Sequence, residues 1–600
     1  MSISRVKRFL FPHFVFVLFF LQFAGNLHAQ LLPDSNKTPL NITFTGYKGD
    51  TAAALNGLRK EIADLLPPTK YKKMFPSCKV VLINPDSSAT HIHEVNASHP
   101  VLPASVEKLF TTSTILWALG SDYQFKTRLD MLPTARLEGS SVIGNVYLRP
   151  SGDPTLKMSD FDNLARFLKI QGVSQIEGDI ISDLSVDDDL TESAKRYFAT
   201  ANNGHGDVQQ DSVSVEIPGG GEEPEEFAEE ETEMDEENTP GFFSEYPNFF
   251  IDRNVVTIRV DAGAKSGARA NVSVYPPIPG VRVINKAGTS APVTYSKKRV
   301  KVGKGKKARW KTVTRRTKGT YSLRISTSAG KGDNEQVVVV TGLIPARSCR
   351  NYNIPIKNVP LAMAGLFKWR LEENGVRVIG DARTGKLKNP NGNFKTLVEK
   401  NTPLLELLKE TNKRSDNYLA ESMFRKLSAI SDEQVSDPKQ KSIGMMNSWM
   451  NVLGINDPAM QFDDGSGLSR KNFQSANSVI ELLHAISKRR MYKDFASTMS
   501  VAGVDGTTRG RMINTYAWNN AHSKTGTLNG VTALGGYVAT KDGQLAAYFI
   551  TMQSFGRGAS GYKRIQDAIV QKLAAFSYAE YEAKYKPSDY VPVTAPSTTE

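Results

Sequence analysis

Three short strings, far apart in the chain, constrain its fold more than any other feature: Ser105-Val-Glu-Lys108, Ser415-Asp416-Asn417 and Lys524-Thr525-Gly526. Each stands in a different local setting, so a site that used all three would need a helix, an interhelical loop and a strand to meet. Around the first, the pattern predicts a helix from near Pro103, a residue suited to a first helical turn. It continues through Leu109, Ile115, Leu116 and Leu119 and stops at Gly120. Ser105 and Lys108 are three positions apart, so their side chains share one face of that helix. A serine hydroxyl is a weak nucleophile until a neighbouring base takes its proton. A buried lysine loses its charge readily, which makes Lys108 the candidate base. The first helical turn adds free N–H groups and the positive end of the dipole.

Ser415-Asp416-Asn417 lies between two helical apolar patterns, Leu404–Leu408 and Tyr418–Phe424. A loop there can aim Ser415 and Asn417 into a cleft, the hydroxyl relaying a proton and the amide orienting Lys108. The same three residue types also favour an ordinary helix cap. Lys524-Thr525-Gly526 reads as strand: residues 522–528, 531–540 and 544–552 form an expected antiparallel meander. Asn529-Gly530 and Lys541-Asp542-Gly543 supply its turns. Gly526 leaves room for another chain to approach closely. A peptide could extend the sheet along this strand, with Lys524 and Thr525 gripping its terminal carboxylate. The backbone N–H groups of Ser105 and Thr527 would then form an oxyanion hole.

In that order the strings are the S-x-x-K, S-x-N and K-T-G elements of penicillin-binding proteins and related β-lactamases. The chain resembles the class C low-molecular-mass penicillin-binding proteins, the D-alanyl-D-alanine carboxypeptidase/endopeptidases of peptidase family S13. Further strings carry the likeness: Leu109-Phe-Thr-Thr, Gly120-Ser-Asp-Tyr123, Ser151-Gly-Asp-Pro-Thr-Leu156, Gly178-Asp-Ile-Ile-Ser-Asp183, Asn412-Lys-Arg-Ser, Ala420-Glu421, Asp464-Gly-Ser-Gly-Leu-Ser-Arg470 and Val501-Ala-Gly-Val-Asp-Gly-Thr507. The resemblance implies cleavage of D,D-peptide bonds in peptidoglycan stem peptides through acylation of Ser105, with β-lactams as covalent inhibitors. It also implies extra domains inserted between the first two motifs. Thr507-Thr-Arg-Gly-Arg511 departs from the family pattern and puts local loop packing in doubt. Transpeptidation uses the same motifs, and a non-catalytic peptidoglycan-binding scaffold is a further reading. The intact Ser105, Lys108, Ser415, Asn417 and Lys524 argue against the scaffold.

The expected fold is α+β: a penicillin-binding/β-lactamase-like domain, helices over an antiparallel sheet, with a large, mainly β insert. Six hundred residues are too many for one core. The peptidase domain is therefore read as discontinuous, residues 30–130 plus 400–590, with the insert at 131–399. Strands at Lys79–Ile83 and His91–Val95 open its sheet, and a last helix near 562–576 carries Ile565, Ile569, Leu573 and Phe576. Residues 218–238 are Gly- and Glu-rich and read as disordered, 297–318 as a basic β-hairpin, and 591–600 as a flexible tail. The two charged segments read as solvated excursions or as a tether and a basic arm.

Residues 1–29 have a basic start, an apolar stretch and Leu27-His-Ala29, the pattern of a cleaved secretory signal peptide, so a periplasmic location is expected. Outside the cytoplasm, a net charge of +13 suits peripheral association with anionic envelope polymers rather than nucleic acid. Cys78 and Cys349, the two cysteines, permit a disulfide without establishing one. The eight histidines form no metal-ligand pattern and no Gly-rich nucleotide loop appears, so no metal or cofactor is expected. Asp153 is read in two ways: a carboxylate that receives the free amine of a stem diamino acid, or an Asp-Pro turn residue.

Overall fold

The computed structural model describes Phe44 and residues 46–66, 74–185, 247–302, 309–331, 335–389, 392–431, 435–554 and 560–585. The expected signal peptide, the acidic segment 218–238 and the tail from 591 lie outside these residues. The chain divides into two compact units, with seams at Tyr123/Gln124 and Pro403/Leu404.

The first unit combines the N-terminal part of the chain with everything from Leu404 on. Its helices are α1 (Thr51–Leu65), α2 (Lys108–Leu119), α3 (Leu404–Lys413), α4 (Asn417–Ile430), α5 (Pro438–Leu453), α6 (Ala476–Ser487), α7 (Tyr492–Ser497), α8 (Lys563–Ala575) and α9 (Tyr578–Lys584). Its strands are β1 (Met74–Ile83), β2 (Ala89–Val95), β3 (Ser500–Val501), β4 (His522–Leu528), β5 (Val531–Ala539) and β6 (Leu545–Ser554). They form one antiparallel sheet in the order β2-β1-β6-β5-β4-β3. The nearly unbroken apolar runs of β5 and β6 are those of strands covered on both faces. Every residue of β5 is buried. Helix α8 packs over β5 and β6, and α6 over β1 and β6.

Helix α9, only seven residues long, was not foreseen in the apolar pattern; Tyr578 and Tyr581 bury into the core that α1 also lines, and polar contacts add to them. Tyr581 and Tyr585 hydroxyls and the Lys584 ammonium all donate to the Glu61 carboxylate of α1, at 2.8, 2.7 and 2.6 Å. Burial pushes the Glu61 carboxyl up, but hydrogen bonds from Lys584, Lys572, Tyr585 and Tyr581 outweigh it and hold the group at about 2.

The second unit, Gln124 to Pro403, is mainly β in its described residues. A mixed five-stranded sheet runs in the order Ala382–Gly385, Ile180–Asp183, Val146–Pro150, Gln124–Met131, Lys395–Pro403. Helices Met158–Ile170 and Val359–Glu373 pack together, with Phe161 and Phe367 edge to face. The basic segment forms a two-stranded antiparallel ribbon, Thr294–Val302 with Arg309–Lys318, on which Trp310 is exposed. Cys78 is a buried free thiol in the first unit and Cys349 an exposed free thiol in the second.

Candidate active site

The turn that carries Ser105 differs from the expected first turn of an α-helix. Ala104–Glu107 is a 3₁₀ turn, and the α-helix begins only at Lys108. Ala104 sits at φ +48°, in the left-handed region that an alanine rarely adopts. Two glycines wrap this turn. A Cβ on Gly526 of β4 would stand 2.8 Å from the Pro103 carbonyl oxygen and 3.1 Å from the Ser105 nitrogen. A Cβ on Gly467, itself at φ +81°, would stand 2.0 Å from the Ala104 carbonyl oxygen. The close approach expected at Gly526 is therefore made by the backbone of Pro103–Ser105.

Lys108 is fully buried, and its Nζ has three partners: Ser105 Oγ at 3.0 Å, Asn417 Oδ1 at 2.7 Å and the Ser466 carbonyl at 2.6 Å. The last two can only accept. A neutral amine has two N–H bonds and one lone pair, so both N–H groups go to Asn417 and Ser466 and the lone pair faces the Ser105 hydroxyl. Burial drives the Lys108 pKa down to about 7, although the nearby Asp464 and Asp416 carboxylates oppose it. With its pKa lowered to about 7, Lys108 has a substantial neutral fraction near pH 7, aimed at the hydroxyl proton.

Ser466 was missed as a functional position, and so was its support. The Asp464 carboxylate accepts the N–H groups of Ser466 (3.1 Å), Gly467 (2.7 Å) and Ser469 (2.8 Å), together with Asn472 Nδ2 (2.8 Å). This folds Asp464–Ser469 into a tight loop that presents the Ser466 carbonyl. The Asp-Gly-Ser-Gly composition announces a turn but not that its carbonyl holds the Lys108 amine. A Gly467→Ala substitution is expected to strain this loop and push the nucleophile turn. The acylation rate should fall about 10²-fold, as for an ångström-scale misplacement, with a lower melting temperature. Unchanged acylation and melting would show that the close packing at Gly467 is dispensable.

The second motif combines both of its readings. Asp416 is the cap of α4, its carboxylate accepting from the Leu419 N–H at 3.0 Å. Ser415, at φ +57°, and Asn417 flank it and point to the two lysines. Asn412 Nδ2 anchors the end of α3 to Thr112 Oγ1 (3.1 Å) and Thr498 Oγ1 (2.8 Å). Lys524 is fully buried on β4 and donates to Ser415 Oγ at 2.8 Å and to the Thr525 carbonyl at 2.9 Å. Burial, and then the neighbouring Lys108, push its pKa well below the ordinary lysine value. A carboxylate arriving beside it would restore the charge.

Thr525 Oγ1 donates to Thr507 Oγ1 at 2.8 Å, and Thr507 also meets Ser500 Oγ at 3.2 Å. The segment that departs from the family pattern therefore begins with a residue tied to the third motif. Strand β3 pairs only with His522 and Ser523, so Lys524–Leu528 run past its end. This leaves the outer edge beside Thr525 and the exposed Thr527 without a partner from β3.

Asp153 belongs to the second unit and is 2% exposed. One carboxylate oxygen accepts from the Thr155 N–H (2.8 Å) and hydroxyl (2.6 Å), and the other from Lys400 Nζ (2.7 Å) and the Thr402 hydroxyl (2.6 Å). This is the arrangement of the turn reading: a buried ion pair joins the turn to the strand Lys395–Pro403. A stem amine would have to displace Lys400.

The model of the D-Ala-D-Ala carboxypeptidase 3 (S13) family matches residues 74–204 and 306–576. A D-alanyl-D-alanine carboxypeptidase of Actinomadura sp. strain R39 is 26% identical over 550 residues, 89% of this chain and 87% of that protein. D-alanyl-D-alanine carboxypeptidase DacB of Haemophilus influenzae is 24% identical over 486 residues, 80% of this chain and 86% of that one. The solved structure of penicillin binding protein 4 (dacB) from H. influenzae superposes with a TM-score of 0.54. It is 22% identical and covers 88% of this chain and 99% of that chain. That likeness places the fold among the penicillin-binding proteins. With the family match spanning most of the sequence, the chain belongs to the D-Ala-D-Ala carboxypeptidase 3 (S13) family.

Proposed function

We propose that this protein is a serine D,D-peptidase that removes the terminal D-alanine of peptidoglycan stem peptides through an ester on Ser105. One observation carries the reading: a fully buried Lys108 whose Nζ stands 3.0 Å from Ser105 Oγ, its pKa pushed down to about 7 by burial. Neutral Lys108 takes the hydroxyl proton as Ser105 Oγ bonds to the carbonyl carbon of the penultimate D-alanine. The N–H groups of Ser105 and Thr527 receive the oxyanion. The C–N bond then breaks, and the amine departs with a proton passed from Lys108 through Ser415. Lys524 and Thr525, the latter backed by Thr507, hold the terminal carboxylate. Water attacks the ester in the same manner, Lys108 taking its proton and returning one to Ser105. The relatives named as D-alanyl-D-alanine carboxypeptidases support this reading. Export to the periplasm, where the substrate lies, and association with envelope polymers belong to the same proposal.

A D,D cross-link presents the same bond type, so the site chemistry also extends to endopeptidase action. Mass analysis of purified muropeptides after incubation separates the outcomes. The proposal expects pentapeptide stems to lose one D-alanine and cross-linked dimers to split into monomers. New cross-links instead of shortened stems would identify a transpeptidase, and unchanged muropeptides would reject the proposal.

A further inference from the structure

Glu107 stands inside the nucleophile turn, between Ser105 and Lys108, and is fully buried. Its carboxyl oxygens both receive the Gln474 amide, with Nε2 at 3.1 and 3.4 Å. Gln474 is itself fully buried and fixed on every side. Its backbone exchanges two hydrogen bonds with Val101, at 2.8 and 3.0 Å, just ahead of the turn. Its Oε1 accepts from the Ser478 hydroxyl at 3.1 Å, and Ser478 belongs to the capping box that starts α6. A hydrogen-bonded chain therefore runs from the start of α6 through Gln474 and Glu107 into the turn. On its other side the Glu107 stem packs on the loop that presents the Ser466 carbonyl, since a Cβ on Gly467 would stand 2.9 Å from Glu107 Cβ. The turn has no side-chain cap of its own, and it contains a left-handed Ala104. Its shape must therefore be held by contacts of this kind.

We propose that Glu107 is a positioning residue for acylation, pinning the Ser105–Lys108 turn to α6 through Gln474. It does so as a neutral acid. One amide donor does not replace the hydration of a buried carboxylate, and burial pushes this carboxyl well above its ordinary value. The Gln474 hydrogen bond and Lys108 act in the opposite direction, and Asp464, from the facing loop, adds to the upward push. A neutral group here adds no further anion to the Asp464 and Asp416 carboxylates that already favour protonated Lys108. The inference rests on Ser105 as the nucleophile.

The test measures penicillin acylation by intact-protein mass, across pH, for the wild-type full chain, Glu107→Gln, Glu107→Ala and Gln474→Met. Glu107→Gln is expected to acylate at close to the wild-type rate, with the acid limb of its pH profile unmoved. Glu107→Ala and Gln474→Met are expected to lose about 10- to 100-fold in limiting acylation rate, with the same dependence on penicillin concentration. Gln474→Met keeps the acid and removes its donor, so it carries the test if Glu107→Ala does not fold. Wild-type rates in both disruptive variants, or a Glu107→Gln variant as slow as Glu107→Ala, would overturn the proposal. A Glu107→Gln limb displaced to lower pH would overturn it too, by showing that Glu107 is an anionic counter-charge. Absence of the wild-type adduct on Ser105 would instead count against the nucleophile assignment.

Discussion

Replacing Lys108 with alanine is expected to slow acylation of Ser105 by penicillin about 10²–10⁴-fold, the range for losing a general base. The substitution removes the group that faces the Ser105 hydroxyl and leaves the Asn417 and Ser466 oxygens without their shared donor. The pH profile gives the same assignment a second readout. Burial lowers the Lys108 pKa to about 7, so its neutral, proton-accepting fraction is a minority below that pH and a majority above it. The wild-type acylation rate should therefore fall as pH drops through about 7, and Lys108→Ala should lose that limb along with its rate. A variant that stays folded, acylates at the wild-type rate and keeps the limb would remove Lys108 from the mechanism. Melting curves of both proteins show whether a slow variant is also unfolded.

The parts of this site that could be read from the sequence are those fixed by local rules. Ser105 and Lys108, three apart, reach one another in the 3₁₀ turn as they would in an α-helix. The hairpin turns and apolar runs of residues 522–552 placed Lys524 on a strand, and β4, β5 and β6 follow that pattern closely. Asp416 as a helix cap obeys the same local chemistry.

What the sequence left hidden depends on contacts between distant segments. Propensity alone favours an α-helix at Ala104–Glu107. Gly467 and Gly526, hundreds of residues away, approach the backbone of the observed 3₁₀ turn so closely that neither has room for a Cβ. Ser466 acts through a backbone carbonyl, which no residue type advertises, and only the Asp464 loop aims it. Thr507 acts through a hydroxyl whose partner, Thr525, lies across a sheet edge. For Asp153, the sequence could not reveal that Lys400 and Thr402 lie close enough to take up its carboxylate. Helix α9 was overlooked because seven residues are too few to display an apolar period, although Tyr578 and Tyr581 bury into the core.

The second large effect concerns Ser105 itself. A β-lactam presents a strained amide in place of the scissile bond and a carboxylate for Lys524 and Thr525. Attack by Ser105 Oγ breaks the ring C–N bond and forms an ester, while the ring nitrogen takes up the proton. Because the opened ring stays attached, it obstructs the deacylating water and the ester persists. Ser105→Ala removes the only atom in this scheme that bonds to the carbonyl carbon, so its expected effect is complete loss of the adduct. Lys524 and Ser415 remain in place in that variant, so reversible binding of the carboxylate should survive.

The most direct measurement is the intact mass of the protein after exposure to penicillin, followed by peptide mapping of the modified site. The account predicts one penicillin per chain, carried by the peptide containing Ser105, and no adduct in Ser105→Ala. A stoichiometric adduct in folded Ser105→Ala, or none in folded wild-type protein, would contradict it.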